Sequence, residues 1–349
     1  MSKKGLVTRR TTARAHRWES LPDGELLRLR FRDLGLKLAH SPVQSDATRL
    51  GAQLERRGIR FKPHFWFSTD WFSPDGVPGI AVPFYLGHPR LLRLERRMMG
   101  EAEGGNRGWR RRILAHELGH AVDTAFGLRR RRDWQLVFGS AAARYAGDYT
   151  AQPRNKNYVL HLEHWYAQSH PTEDFAETFA VWLQPKARWR AEYSGWPALA
   201  KLEFVDALMA ELAGRTPSKR DRSVVAPLTD NSRSLGEHYR RRAYVSVGGE
   251  QRYDAWLARA FSLRTASGSG SSAERFLVEV KPQLIRSLLR RTKAHPYLVF
   301  QVLRAIRWRA RALGLCTKGS KRELLRSVIR LHERVVADVL RRNEEAYFL

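Results

Sequence analysis

Trp109-Arg110-Arg111-Arg112-Ile113-Leu114-Ala115-His116-Glu117-Leu118-Gly119-His120-Ala121-Val122-Asp123-Thr124-Ala125-Phe126-Gly127 reads as one helix. Apolar residues at 113, 114, 118, 121, 122 and 125 recur with helical period, and Gly127 stands where a helix ends. His116 and His120 are four residues apart, so their side chains lie one above the other, roughly 5–6 Å apart at Cβ, and converge on a single ion. A zinc ion held by two imidazoles and a third ligand keeps a position open for water and lowers that water's pKa toward about 7. Glu117 stands beside the site as the base for hydrolytic chemistry. The competing reading is two histidines on a partly buried helix with Glu117 in an ordinary charge pair, and the decision rests on a third ligand.

That ligand is sought in Trp165-Tyr166-Ala167-Gln168-Ser169-His170-Pro171-Thr172-Glu173-Asp174-Phe175-Ala176-Glu177-Thr178-Phe179-Ala180-Val181-Trp182-Leu183. Pro171 suits a first helical turn, and Glu173 and Asp174 suit the positive end of the helix dipole. Phe175, Phe179, Trp182 and Leu183 form a core-facing stripe. Glu173 and Glu177 share another face four residues apart, where two carboxylates repel unless something positive lies beside them. A metal supplies it, with Glu173 as third ligand and Glu177 accepting a hydrogen bond from a ligand histidine. His161, His164 and His170 are substitutes for the third position. A histidine six residues after His120 is ruled out, because Phe126 stands there. Asp123, one turn past His120, is left to orient that histidine or to face solvent.

The two segments resemble the gluzincin superfamily of zinc peptidases, specifically its lethal-factor-like branch and a bacterial family of zinc-binding metallopeptidases. The first helix matches through HExxH followed by Ala121-Val122-Asp123. The second matches through Glu173-Asp174-Phe175-Ala176-Glu177-Thr178-Phe179, in which the pattern is E-x-F-A-E-x-F. The branch places a tyrosine seven residues before the glutamate ligand, and Tyr166 stands there. The resemblance implies that Tyr166 donates a hydrogen bond to the oxyanion of the tetrahedral intermediate, where a donor aimed at developing charge is most effective; an interfacial tyrosine beside Trp165 is the plain alternative. It implies an α+β fold with a zincin-like catalytic domain, a small sheet and the HExxH helix, joined to a helical C-terminal region. It also makes residues 80–86 a candidate edge strand to which a peptide substrate adds, against the reading of an edge closed by a loop. The span from His120 to Glu173 is longer than in thermolysin-like enzymes, and residues 129–164 carry no element assignment.

Composition sets the frame. The chain has 349 residues, 43% of them hydrophobic, with 11 Trp and 15 Phe, enough for a substantial core. Cys316 is the only cysteine, which excludes an intramolecular disulfide and a cysteine-built zinc site. There are 63 Lys and Arg against 35 Asp and Glu, a formal charge of +28, which favours nonspecific, salt-sensitive association with polyanions. No nucleic-acid module is recognisable. No apolar run approaches membrane-spanning length and the N terminus lacks a secretory apolar core, so the expectation is a cytoplasmic protein with no membrane insertion.

Along the chain the reading is a basic tail over 1–18, a catalytic domain over 19–213, a connector over 214–234 and a basic helical region over 235–349. Helices are predicted over 21–38, 43–57, 88–99, 109–126, 171–183 and 196–213, then 235–263, 276–291, 296–313 and 321–343. Residues 61–67 and 80–86 are strand-like, with Ser73-Pro74-Asp75-Gly76 as the turn of a hairpin or strand pair. The Gly/Ser run at 265–272 is a loop that lacks the lysine of a phosphate loop. The expected function is zinc-dependent hydrolysis of a peptide or protein substrate. The alternative of a different class is a basic scaffold or nucleic-acid-associated protein with a non-catalytic zinc site.

Overall fold

The computed structural model describes residues 16–99, 101–143, 152, 155–184, 188–245, 253–263, 271–292, 294 and 296–342. In chain order these form α1 (Asp23–Leu26), α2 (Pro42–Arg56), β1 (His64–Ser68), β2 (Gly79–Pro83), α3 (Pro89–Met99), α4 (Arg107–Phe126), α5 (Arg132–Phe138), α6 (Pro171–Leu183), α7 (Trp189–Glu192), α8 (Ala198–Leu212), α9 (Leu235–Val245), α10 (Asp254–Ala260), β3 (Ser262–Leu263), α11 (Ala273–Thr292), α12 (Pro296–Ala312), β4 (Leu315–Cys316) and α13 (Lys321–Arg342). The architecture is α+β and mostly helical, with two small two-stranded sheets.

The helices that carry the motifs begin and end on recognisable chemistry. The Asn106 side chain accepts the Trp109 N–H at 2.8 Å to start α4, and Gly127, at φ +66°, closes it with its N–H on the Asp123 carbonyl. Pro171 occupies the first turn of α6, and His170 Nδ1 caps it by accepting the Thr172 N–H at 3.2 Å. Both helices are buried along nearly their whole length, α6 through the aromatic stripe of Phe175, Phe179 and Trp182.

Several expectations require correction. Residues 21–38 do not form one helix; α1 stops at Leu26 and a 3-10 turn follows at Phe31–Leu34. The backbone between them pairs instead with a distant segment. Leu235 N–H bonds the Leu29 carbonyl at 2.9 Å, and Phe31 N–H bonds the Arg233 carbonyl at 3.0 Å. Tertiary pairing there overrides helical periodicity.

The strands at 64–68 and 79–83 pair in parallel, His64 opposite Gly79 and Ser68 opposite Pro83, so no hairpin exists. β2 ends at Pro83, and Phe84–Gly87 is a buried 3-10 turn. The other edge of β2 is closed as well: Ala81 donates its N–H to the Phe72 carbonyl at 2.8 Å, so the returning segment occupies the position where a peptide would add. The edge-strand expectation for 80–86 gives way to the loop-covered one.

Two large hydrophobic cores, besides a small cluster of Trp66, Val77 and Ala81, divide the chain later than the sequence suggested. The first takes in α2 to α8 and continues through Leu228, Leu235 and Tyr239; the second begins at Tyr253 and is built from α10 to α13. α9 joins the first core because His238 packs edge-on to Phe31 and Phe84 and Arg242 pairs with Glu95 at 3.1 Å. The helix read over 235–263 is α9 and α10 separated by undescribed residues 246–252, and its last residues pair as β3 with β4. Of the basic tail, residues 1–15 lie outside the described part. Trp18 is buried and donates its indole N–H to the Leu34 carbonyl at 3.0 Å, so it belongs to the core. Most of the Gly/Ser loop, 264–270, also lies outside. Among the described residues no helix is long and apolar enough to cross a membrane.

Candidate metal centre

α4 and α6 cross with Gly119 against Ala176, two small residues that let the backbones approach closely. The crossing brings the polar faces of both helices together. His116 Nε2 lies 3.0 Å from Glu173 Oε2, His120 Nε2 lies 3.1 Å from the same oxygen, and the two Nε2 atoms are 3.1 Å apart. Three donors thus form a nearly equilateral triangle, and they are the group of His, Cys, Asp and Glu side chains that meets a metal-site geometry among the described residues.

The triangle can be tested against a metal. Ligand bonds of about 2.0–2.1 Å in a tetrahedron place donors about 3.3 Å apart. The observed edges fall a few tenths of an ångström short of that, an outward relaxation within side-chain reach. Two imidazoles and one carboxylate are a donor set that zinc takes in catalytic sites, leaving a fourth position free. The residues fit the ion.

Glu177 stands directly behind. Its Oε1 accepts from His116 Nδ1 at 2.8 Å, and its Oε2 accepts the Leu162 N–H at 2.8 Å. The carboxylate is therefore fixed at both ends. A proton held on Nδ1 leaves the Nε2 lone pair of His116 facing the triangle, the usual arrangement for a metal-binding histidine.

The electrostatics of this buried group are strongly coupled. Burial works against a charged His116, but its hydrogen bonds to Glu173 and Glu177 outweigh that cost and raise its pKa well above the ordinary value. Burial likewise opposes ionisation of Glu173 and Glu177, yet the charge and hydrogen bonds of His120 and His116 hold Glu173 well below the carboxylate range. The hydrogen bond from His116 lowers the pKa of Glu177. Glu117 differs. It is buried without such a partner among the described residues, and burial raises its pKa against the opposing pull of His116 and His120. A carboxylate pushed upward is a stronger base near neutral pH.

Tyr166 lies in the 3-10 stretch Glu163–Gln168, its ring 5.6 Å from the His116 ring. The residue before it, Trp165, has φ +58°, an unusual conformation for a large side chain. The structure therefore brings Tyr166 to the same end of the site as His116.

The alternative ligands are engaged elsewhere. His161 Nε2 meets the Arg112 carbonyl at 2.9 Å and its Nδ1 meets the Gln184 amide at 3.3 Å, while burial lowers its pKa. His170 caps α6 and bonds the Ala143 carbonyl at 2.9 Å. The side chain of His164 lies outside the described residues. Asp123 neither orients His120 nor faces solvent. It is fully buried and accepts the Arg129 backbone N–H at 2.8 Å and its Nε at 2.5 Å, while the same guanidinium reaches Asp75 at 2.7 Å. This clamp ties the end of α4 to the turn before β2. Sequence reasoning missed it, and missed the Leu162 contact, because Arg129 and Leu162 lie in the stretch between the two helices, which has no periodic signature. The Gly119 and Ala176 crossing had a signal, a small residue at the centre of each motif.

No family model, curated protein or solved structure matches this chain.

Proposed function

We propose that this chain is a zinc-dependent peptidase of gluzincin type, with a zincin-like catalytic half around α4 and α6. The observation that carries the reading is the 3.0–3.1 Å triangle of His116, His120 and Glu173 with Glu117 adjoining it on α4. When bound, zinc would supply Lewis-acid activation of water and of the scissile carbonyl. Glu117 takes the proton from the attacking water and returns it to the leaving amine, the paired roles of a carboxylate placed beside the site. Tyr166 donates a hydrogen bond to the carbonyl oxygen as negative charge grows there. Glu177 holds His116 in the binding tautomer. The substrate is a peptide or protein.

The test starts from zinc content and a peptide library assayed with and without a chelator. Cleavage should be chelator-sensitive, and Glu117→Gln should retain zinc while losing about 10²–10⁴ in rate, the usual contribution of a general base. Tyr166→Phe should retain zinc and lower kcat more than it changes KM. Chelator-sensitive cleavage undiminished in Glu117→Gln overturns the mechanism. Stoichiometric zinc with no cleavage across the library favours the scaffold reading.

A further inference from the structure

The second core carries a surface that the metal centre does not use. On α13, Arg322, Arg326, Arg330 and Arg334 are all exposed and repeat every four residues. At 1.5 Å per residue they form a ridge about 18 Å long, advancing about 6 Å and turning about 40° at each step. Arg330 reaches the Ser327 hydroxyl at 3.3 Å, and none of the four forms an ion pair among the described residues.

The acids of α13 are occupied. Glu323 accepts from the Ser320 hydroxyl at 2.7 Å, Glu333 pairs with Arg291 of α11, and Asp338 accepts from the Tyr253 hydroxyl at 2.8 Å. Four like charges at i, i+4 spacing repel one another and weaken a helix. α13 tolerates them because its opposite face is buried: Leu324, Val328, Leu331, Val335 and Val336 lie in the second core.

We infer that this arginine ridge is a docking surface for the phosphate backbone of duplex nucleic acid. A duplex carries one negative charge per about 1.7 Å of axis over both strands, so a length of about 18 Å holds roughly ten phosphates, and those on the side facing the ridge are within its reach. Guanidinium groups suit phosphate oxygens through paired donors. Binding would relieve the repulsion along the helix and release condensed counterions. An anionic membrane fits less well. A helix that lies in a bilayer surface buries an apolar face there, whereas the apolar face of α13 is committed to the core and Leu325 and Ile329 pack against it. The contacts inferred are to phosphate oxygens, which carry no sequence information, so recognition is of shape and charge rather than sequence.

The experiment measures binding of the full chain to a labelled duplex of mixed sequence, about 30 base pairs long, across a salt series. The variant combines Arg322→Gln, Arg326→Gln, Arg330→Gln and Arg334→Gln. A control combines Arg28→Gln, Arg56→Gln, Arg60→Gln and Arg222→Gln, four exposed arginines away from α13. Each phosphate contact contributes about 0.9 to the slope of log K against log salt. The ridge variant should lower that slope by about 3 to 4, the control by less than 1, with no change between two unrelated duplex sequences. Should the fourfold variant unfold, each single replacement should still lower the slope by about 1. Equal losses in ridge and control overturn the inference, as does tighter, ridge-dependent capture by phosphatidylserine vesicles than by DNA.

Discussion

Gly119 and Ala176 touch where α4 and α6 cross: a β-carbon added at Gly119 would lie 2.8 Å from the Ala176 Cα and 3.2 Å from its carbonyl oxygen. Real β-carbons do not approach backbone that closely, so one helix would have to move. The metal triangle straddles this contact, with His116 and His120 on one helix and Glu173 on the other. The distance between helices is therefore also the distance between ligands.

Gly119→Ala separates the two roles of that glycine. In an exposed helix interior the change stabilises by up to about 1 kcal/mol. Here overpacking should destabilise by about 1–3 kcal/mol, and zinc affinity should fall with it. Denaturant unfolding and zinc titration check the two effects. A more stable variant with unchanged affinity would show that the crossing has slack.

Glu173→Ala and Asp174→Ala should fail in different ways. The first removes a ligand and should lower zinc content with a modest change in fold stability. Asp174 is not a tolerant surface position. It is buried and paired with Lys201 Nζ at 2.5 Å. Its loss leaves the Lys201 ammonium over the Tyr158 ring without a carboxylate and should destabilise the fold, by less than a fully ionised pair would because burial raises the Asp174 pKa to about 7, while zinc still binds. Metal analysis together with urea melts distinguishes them; loss of zinc from Asp174→Ala in the folded state would unseat Glu173 as ligand.

Glu177→Gln tests the positioning of His116. A glutamine has one carbonyl oxygen, so it can accept from the Leu162 N–H or from His116 Nδ1 but not from both, and its NH2 end cannot accept. Metal affinity should drop about 10- to 100-fold, the usual cost of losing a carboxylate behind a ligand histidine. Competition against a chromogenic chelator measures it, and unaltered affinity would reduce Glu177 to a structural acid.

His332 sets a pH dependence on the second core. It is fully buried in α13 with Nδ1 on the Val328 carbonyl at 2.7 Å, and burial pushes its pKa from 6.5 down to about 4. The unfolded chain takes up the proton first. Stability from the neutral ring is therefore complete above about pH 6.5 and declines as pH falls to about 4, by roughly 3 kcal/mol in all. His332→Leu should remove that component. Unfolding midpoints of wild type and variant at pH 7.5, 5.5 and 4.5 give the difference, and parallel pH curves would contradict it.

Helices with clear caps were legible in the sequence. Pro42, Pro89, Pro171 and Gly127 mark ends that the structure keeps. The same local chemistry said where the two motifs lie along their helices. It could not say which way β1 and β2 run, because that depends on the route of residues 69–78 and on Phe72 returning to Ala81. Nor could periodicity reveal that residues 27–32 spend their backbone groups on 231–236. The triangle was legible as spacing, since i, i+4 pairs on two helices are a local pattern. Asp123 was not, because its partner Arg129 lies beyond the helix end, in a segment with no periodic signature.

The two hydrophobic cores share no residue, and Arg311 on the Arg97 carbonyl at 3.2 Å is one of the polar contacts that join them. Two cores that unfold as separate cooperative units would give two heats of melting. An ion that binds only the native form of one unit raises the melting temperature of that unit by mass action and leaves the other where it was. In a calorimeter, added zinc would then act as a tag that names the peaks: the endotherm that moves belongs to α4 and α6, and the one that stays belongs to the arginine-bearing helices.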